Sequence, residues 1–260
     1  MIDLSISLIS TNELHHLKKL LPTLLPAADQ IQSEILLIDN HSTDGTHEFI
    51  VNTNKKIDIE TAKSINPCYS KNHNQNLQRA RGRFFVIMNA DIVINSEDIF
   101  VCLSKYMTQN PDIGIVSPKI LNEDGTIQGL NKRYPTVLDF ILRFLPLRSL
   151  DFILKARLDY YEMRDIGYDD FYDVPFLSGS FMFCRTDLLK SIGGFDTKFN
   201  WCFDDVDLCR RVQKTHRTAY FPDAEITHFW QRSGHKHIKK TVAFALNAIR
   251  YFNTWGWKLY

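Results

Sequence analysis

The chain has 260 residues, 44% of them hydrophobic and 23% charged, which suits one large globular domain or a core with an appended segment. A formal net charge of +1 excludes the broad basic footprint of a nucleic-acid-binding protein, and no uncharged apolar run is long enough to span a membrane. The five cysteines, odd in number and without a C-x-x-C pair, read as reduced thiols of a cytosolic protein and exclude a disulfide framework or zinc site; MIDLSISLIS lacks the basic start of a signal peptide.

Leu4, Ile6 and Leu8 begin a strand that ends near Thr11 and Asn12, and Leu14, Leu17, Leu21, Leu24 and Leu25 follow at helical spacing. EILLID (34–39) is a short apolar run closed by a carboxylate and followed by the polar turn HSTDG. Ile57, Ile59 and Thr61 predict another strand, residues 70–81 a polar helix, and FFVIM (84–88) a buried strand ending in Asn89-Ala90-Asp91. Ser96 is placed to cap a helix carrying Ile99, Phe100, Leu103 and Met107, and IGIVS (113–117) returns as a strand. Apolar strands alternating with helices predict an α/β fold with a Rossmann-like, mostly parallel central sheet flanked by helices. Ligands of such sheets bind outside the carboxyl ends of the strands, and two of those ends carry acids, Asp39 and Asp91. Either acid alone is better explained by capping a turn or helix; the two together point to a site.

After residue 130 the chain turns apolar and aromatic with interspersed Arg and Lys, and Pro146 divides this stretch into two short helices. It reads as a packed lid or subdomain, with lipid contact as the alternative. FMFC (181–184) predicts a strand, Thr186 opens a helix, and GGFD (193–196) is a turn. DDVDLCRRVQKT (204–215) is a helix with three acids in its first turn, followed by the short strands TAYF (218–221) and EITHF (225–229). From His237 onward an amphipathic helix carries Val242, Phe244, Ala245, Ala248, Ile249 and Phe252 on its apolar face.

LLIDNHSTDGT (36–46), N-x-D at 89–91, FLSGSFMFCRTDLLKSIGGFD (176–196), FDDVDLCRRV (203–212) and His228 with RSGH (232–235) together resemble the family 2 glycosyltransferases, especially their rhamnosyltransferase-like branch in bacterial surface polysaccharide synthesis. The resemblance implies a GT-A type fold over residues 1–235, with 131–175 as an acceptor-side or lid insertion. Residues 236–260 are then a C-terminal helical segment packed on the domain or at an interface. It implies inverting transfer from a dTDP- or UDP-sugar to a saccharide or lipid-linked saccharide, with a divalent metal, Mg2+ or Mn2+. The competing reading is a catalytically silent relative that binds nucleotide sugars or scaffolds an assembly. The implied location is cytoplasmic, at the inner face of the membrane, and the apolar-basic segments 131–165 and 237–260 offer surfaces for peripheral membrane contact or a homodimer.

The same resemblance assigns roles. Asp39 matches the aspartate that accepts the N3–H of uracil or thymine, a hydrogen cytosine lacks. Thr11, Asn12 and Asp44 complete the nucleotide pocket, with turn and cap duty as an equal alternative, and Asn66 and Asn74 line it from a run that has Cys68 and Asn76 where glycines are usual. Asp91 matches the second acid of a D-x-D metal motif, Asn89 supplies a neutral carbonyl at the first position, and His228 falls where a metal- or phosphate-contacting histidine is common. Arg232, Ser233 and Lys236 are diphosphate contacts. Asp205, second acid of the pair opening a helix, is the catalytic base, although the helix dipole is expected to lower its pKa. Asp204 suits the N-cap and acceptor side, Asp207 either duty, and Gly179 close backbone approach to acceptor or sugar, or a tight turn.

Overall fold

The computed structural model describes residues 2–53, 56–63, 68–144, 151–199, 202–229 and 238–260. The apolar runs of the N-terminal half become the parallel part of one sheet: β1 (Leu4–Ser10), β2 (Ser33–Asp39), β3 (Ile57–Thr61) and β4 (Phe84–Met88), side by side in the order β3-β2-β1-β4. Parallel neighbours need crossovers, and α1 (Leu14–Asp29), α2 (Thr46–Thr53) and α3 (Tyr69–Arg79) supply them. Successive residues of β4 serve opposite faces. Phe84, Val86 and Met88 join a core cluster with Leu17, Leu20 and Leu24 of α1, while Phe85 and Ile87 join a second one with Leu77 and Ala80.

Beyond β4 the direction changes. β8 (Phe181–Arg185) pairs antiparallel with β4, β6 (Ile113–Leu121) antiparallel with β8, and β9 (Arg217–His228) parallel with β6. β5 (Ile92–Ile94) and the two-residue β7 (Tyr172–Asp173) both pair antiparallel with β9. The Rossmann-like α/β sheet flanked by helices is therefore present, with its parallel half intact. The antiparallel ladders add to it without a distinct sequence pattern, because a strand buried on both faces is the same apolar run in either direction.

Three local expectations change. TAYF and EITHF are one strand, β9, whose register with β6 jumps from Phe221 to Glu225; Pro222, which has no N–H to pair, lies in that irregularity. Asp98, not Ser96, holds the N-cap of α4 (Ile99–Gln109), and the Ser96 hydroxyl donates to its carboxylate. Phe203, not Asp204, is the N-cap of α8 (Asp204–Val212), in the left-handed conformation at φ 68°.

The predicted pair of short helices is α5 (Val137–Phe144) and α6 (Asp151–Tyr161), and α7 (Thr186–Ser191) precedes the GGFD turn. α9 (Ile238–Trp255) packs onto the domain through Phe244, 5.5 Å from the Phe140 ring and 5.3 Å from that of Phe203. The segment after α9 returns to α5, where the N–H groups of Val137 and Leu138 donate to the carbonyls of Lys258 and Leu259. Among the described residues no helix is long and apolar enough to cross a membrane.

Candidate active site

β4 ends at Met88, and Asn89-Ala90-Asp91 turns the chain into β5, whose Ile92 pairs with His228 at the end of β9. That pairing sets Asp91 Oδ1 3.2 Å from His228 Nε2 and Asn89 Nδ2 3.4 Å from the same nitrogen. The other ring nitrogen, Nδ1, faces Gln128 Oε1 at 2.6 Å, and both His228 and Gln128 are buried. Asp91 Oδ1 is buried and accepts no hydrogen bond among the described residues. A carboxylate oxygen and an imidazole nitrogen held face to face invite a proton or a cation between them. The donor set, a carboxylate, an imidazole and the Asn89 amide oxygen, fits Mg2+ or Mn2+. No group of three His, Cys, Asp or Glu able to hold a metal occurs among the described residues, so a cation here would rely on Asn89 and substrate oxygens.

Asp204 and Asp205 open α8 beneath the turn 178–180. Asp204 is buried and accepts from Ser70 Oγ at 2.7 Å. Asp205 is partly exposed; its Oδ1 accepts from the Val206 N–H (2.9 Å) and its Oδ2 from the Gly179 N–H (3.3 Å). Loss of bulk water raises the Asp205 pKa and outweighs the opposing pull of Lys132 and the two N–H groups. The helix-end argument predicts the reverse; burial is the larger effect. Asp204 is raised as well, by burial first and then by the charge of Asp205. Asp207 leaves the contest for the base: its carboxylate is buried and accepts from Arg211 Nε (2.8 Å) and Trp255 Nε1 (2.9 Å), tying α8 to α9. Gly179 serves close packing. A Cβ there would stand 3.1 Å from Tyr69 Oη and 3.6 Å from Asp205 Cβ, and Tyr69 donates to its carbonyl.

On the nucleotide side, Asp39 ends β2, buried, with its Oδ1 accepting from the Ser42 N–H (3.2 Å) and its Oδ2 3.6 Å from His47 Nδ1. Thr11 and Asn12 lie on the adjoining exposed loop, where Asn12 at φ 56° accepts the Thr43 N–H and Thr11 Oγ1 accepts from Asn40. Asp44 holds two helix starts at once, taking the N–H of Leu14 in α1 (3.0 Å) and of Thr46 in α2 (3.1 Å). The Asn74 amide exchanges two hydrogen bonds with the main chain of Phe195. Asn76 likewise donates to Leu8 O and Leu36 O, bracing the sheet. Asn66, Arg232, Ser233, Lys236 and the RSGH segment lie outside the described residues.

One cavity of about 910 Å³ is lined by Asn89, His228, Gly179, Ser180, Asp204 and Asp205 among others, and Asp91 adjoins it through His228. Its walls include Leu130, Phe140, Phe176, Phe203, Phe244 and Phe252. Asp39 stands at the same carboxyl edge, since β2 is separated from β4 only by β1. Tyr69, Gln128, Lys132 and Ser180 are site neighbours that sequence reasoning misses; no local spacing marks them, because strands distant in sequence bring them in.

The profile of the family described as "Glycosyltransferase like family 2" matches residues 5–244. The N-acetylglucosaminyl-diphospho-decaprenol L-rhamnosyltransferase of Mycobacterium tuberculosis is 25% identical over 231 residues, covering 82% of this chain and 71% of the relative. The mannosyltransferase PcManGT of Pyrobaculum calidifontis, solved with GDP-Man and Mn2+, superposes with a TM-score of 0.64 at 17% identity, over 96% of this chain and 63% of that one. Residues 1–349 of S. aureus TarS, solved with UDP-GlcNAc, give 0.65 at 16% identity, over 97% of this chain and 67% of that one. This chain thus spans less than two thirds of the length of the mannosyltransferase. Its fold is that of the GT-A glycosyltransferases, and the chain belongs to glycosyltransferase family 2.

Proposed function

We propose that the chain is an inverting glycosyltransferase that moves a sugar from a UDP- or dTDP-linked donor onto a hydroxyl of a lipid-linked saccharide, in the synthesis of a bacterial surface polysaccharide. The observation that carries this reading is the shared cavity, lined by Asp205, His228 and Asn89 together with apolar side chains. The names of the rhamnosyltransferase relative and of the nucleotide-sugar complexes support it.

Asp205 takes the proton of the acceptor hydroxyl as that oxygen attacks the anomeric carbon. The bond from the anomeric carbon to the diphosphate breaks, its electron pair leaves with the nucleoside diphosphate, and attack from the opposite face inverts the centre. The Gly179 and Val206 N–H groups orient the two carboxylate oxygens, and the raised pKa makes Asp205 a better proton acceptor than an ordinary aspartate. Asp91, His228 and Asn89 would hold a divalent cation, which when bound neutralises charge on the departing diphosphate. Asp39 would accept a pyrimidine N3–H, with Thr11, Asn12 and Asp44 shaping the loops around it. Lys132, its ammonium 5.4 Å from the Phe176 ring centre, brings a positive charge into the apolar cavity, which suits an acceptor carrying a diphosphate next to a lipid chain.

The same reading places the chain at the inner face of the cytoplasmic membrane. Val242, Leu246 and Ile249 of α9 are 53%, 59% and 48% exposed and follow one helical face, while Thr241 and Phe244 of that helix line the cavity. No acidic residue follows Glu225, whereas Arg232, Lys236, Lys239, Lys240, Arg250 and Lys258 do, a charge pattern complementary to anionic lipid. The test is transfer by the purified chain with Mn2+, a panel of UDP- and dTDP-sugars and a lipid-diphosphate N-acetylglucosamine acceptor. A glycosylated lipid product is expected. Nucleotide-sugar binding without transfer from any donor would instead identify a silent binding relative.

A further inference from the structure

The polar side chains of the turn after β6 form a hydrogen-bond chain with one permitted direction, and it ends on His228. Asp124 can only accept, and Thr126, whose hydroxyl and N–H hold its carboxyl below the usual range, donates Oγ1–H to its Oδ1 at 2.5 Å. With that proton committed, Thr126 Oγ1 accepts from Asn122 Nδ2 at 2.9 Å. Asn122 Oδ1 is thereby left to accept from Gln128 Nε2 at 2.7 Å. The second Gln128 amide hydrogen is directed at the His228 main-chain carbonyl, 3.4 Å away, which is likewise an acceptor only. Reversing the Gln128 amide would set its oxygen against that carbonyl and against Asn122 Oδ1, so the assignment follows from the network. Its Oε1 therefore faces His228 Nδ1 at 2.6 Å as an acceptor, and Nδ1 carries the ring proton.

The consequence lies across the ring, where Nε2 points at Asp91 Oδ1, 3.2 Å away. We propose that Gln128 is a positioning residue that holds His228 in the Nδ1–H tautomer and so leaves Nε2, approached at 3.4 Å by Asn89 Nδ2, as an unprotonated acceptor for a divalent cation shared with Asp91. This rests on the metal-dependent reading above. It explains why a buried glutamine far from the N-x-D motif makes two hydrogen bonds to one histidine. Outer partners of this kind orient ligating imidazoles and set metal affinity.

The test uses the metal-free full chain. Imidazole ¹⁵N spectra at pH 8, with the His228 signals assigned by their loss in H228Q, should show the proton on Nδ1. Calorimetric titration with Mn2+ alone should give Q128L an affinity about 10–100-fold weaker than wild type. A wild-type proton on Nε2, or unchanged Mn2+ affinity in Q128L, overturns the inference alone. A wild-type chain that binds no Mn2+ removes the metal-dependent reading with it. Should Q128L fail to fold, the wild-type spectrum still decides the matter.

Discussion

Asp204 and Asp205 show how a site residue is made by its surroundings. Both carboxyls are raised above the ordinary range, Asp204 by burial and by its neighbour's charge. Between the ordinary carboxylate pKa and the raised one, the folded chain binds more protons than the unfolded chain, so stability falls as pH rises through that window. Asparagine at position 204 retains an acceptor for Ser70 and removes this penalty. D204N should therefore melt higher than wild type at pH 8, by at least about 2–4 °C, the shift ~1 kcal/mol produces in a chain of this size. Near pH 4 the gain should vanish; an equal gain at both values would show that ionisation is not its source. The three proposed acids were legible in the sequence because their positions are local: Asp39 and Asp91 close apolar runs, and Asp205 starts a helix. The shift of Asp205 was not, since helix-end charge is a local property while loss of water, and the opposing charge of Lys132, depend on how the chain folds around it. Gln128 and Tyr69 escaped for the same reason.

At the scale of elements, the apolar period revealed the longer strands and helices, whose burial it encodes. α2 was missed because only Thr46 and Ile50 of its eight residues are buried, and β5 and β7 because three and two residues carry no period. Helix starts failed where tertiary contacts outcompeted capping preference, as when Asp204 turned to Ser70 and left the N-cap to Phe203. Asp207 illustrates what holds two elements in register beside the site. D207A strands the partly buried Arg211 and Trp255 donors and should destabilise the fold by roughly 2 kcal/mol, the low end of the about 1–3 kcal/mol that each orphaned buried donor costs. Urea unfolding measures this. A loss under about 0.5 kcal/mol, the range of neutral surface changes, would mean that the α8–α9 tie is incidental.

For the whole molecule, the parallel half of the sheet was legible because βαβ alternation admits few topologies, whereas nothing local distinguishes the antiparallel entry of β8. That entry matters: β8 inserts between β4 and β6, and the turn 178–180 just before it joins the end of β4 to the start of α8 through Asn89 N–H to Ser180 O and Gly179 N–H to Asp205. The exposed stripe of α9 should then set where the molecule works. Flotation with vesicles containing phosphatidylglycerol should carry the wild-type chain and not the double variant L246E/I249E, with neutral phosphatidylcholine vesicles retaining neither. Wild-type chain left in the soluble fraction, or a dimer dispersed by the same substitutions, would contradict the membrane reading.

The central claim is that Asp205 accepts the acceptor's proton within a cavity it shares with His228, whose ring meets Asp91. The most direct measurement is the transfer rate of D205N with saturating donor and Mn2+, alongside its affinity for the nucleoside diphosphate. The account predicts a kcat lowered at least ~10²-fold, the lower end of what a positioned base contributes, with nucleotide affinity unchanged. A kcat near wild type, or a loss of rate matched by a loss of nucleotide binding, would contradict it.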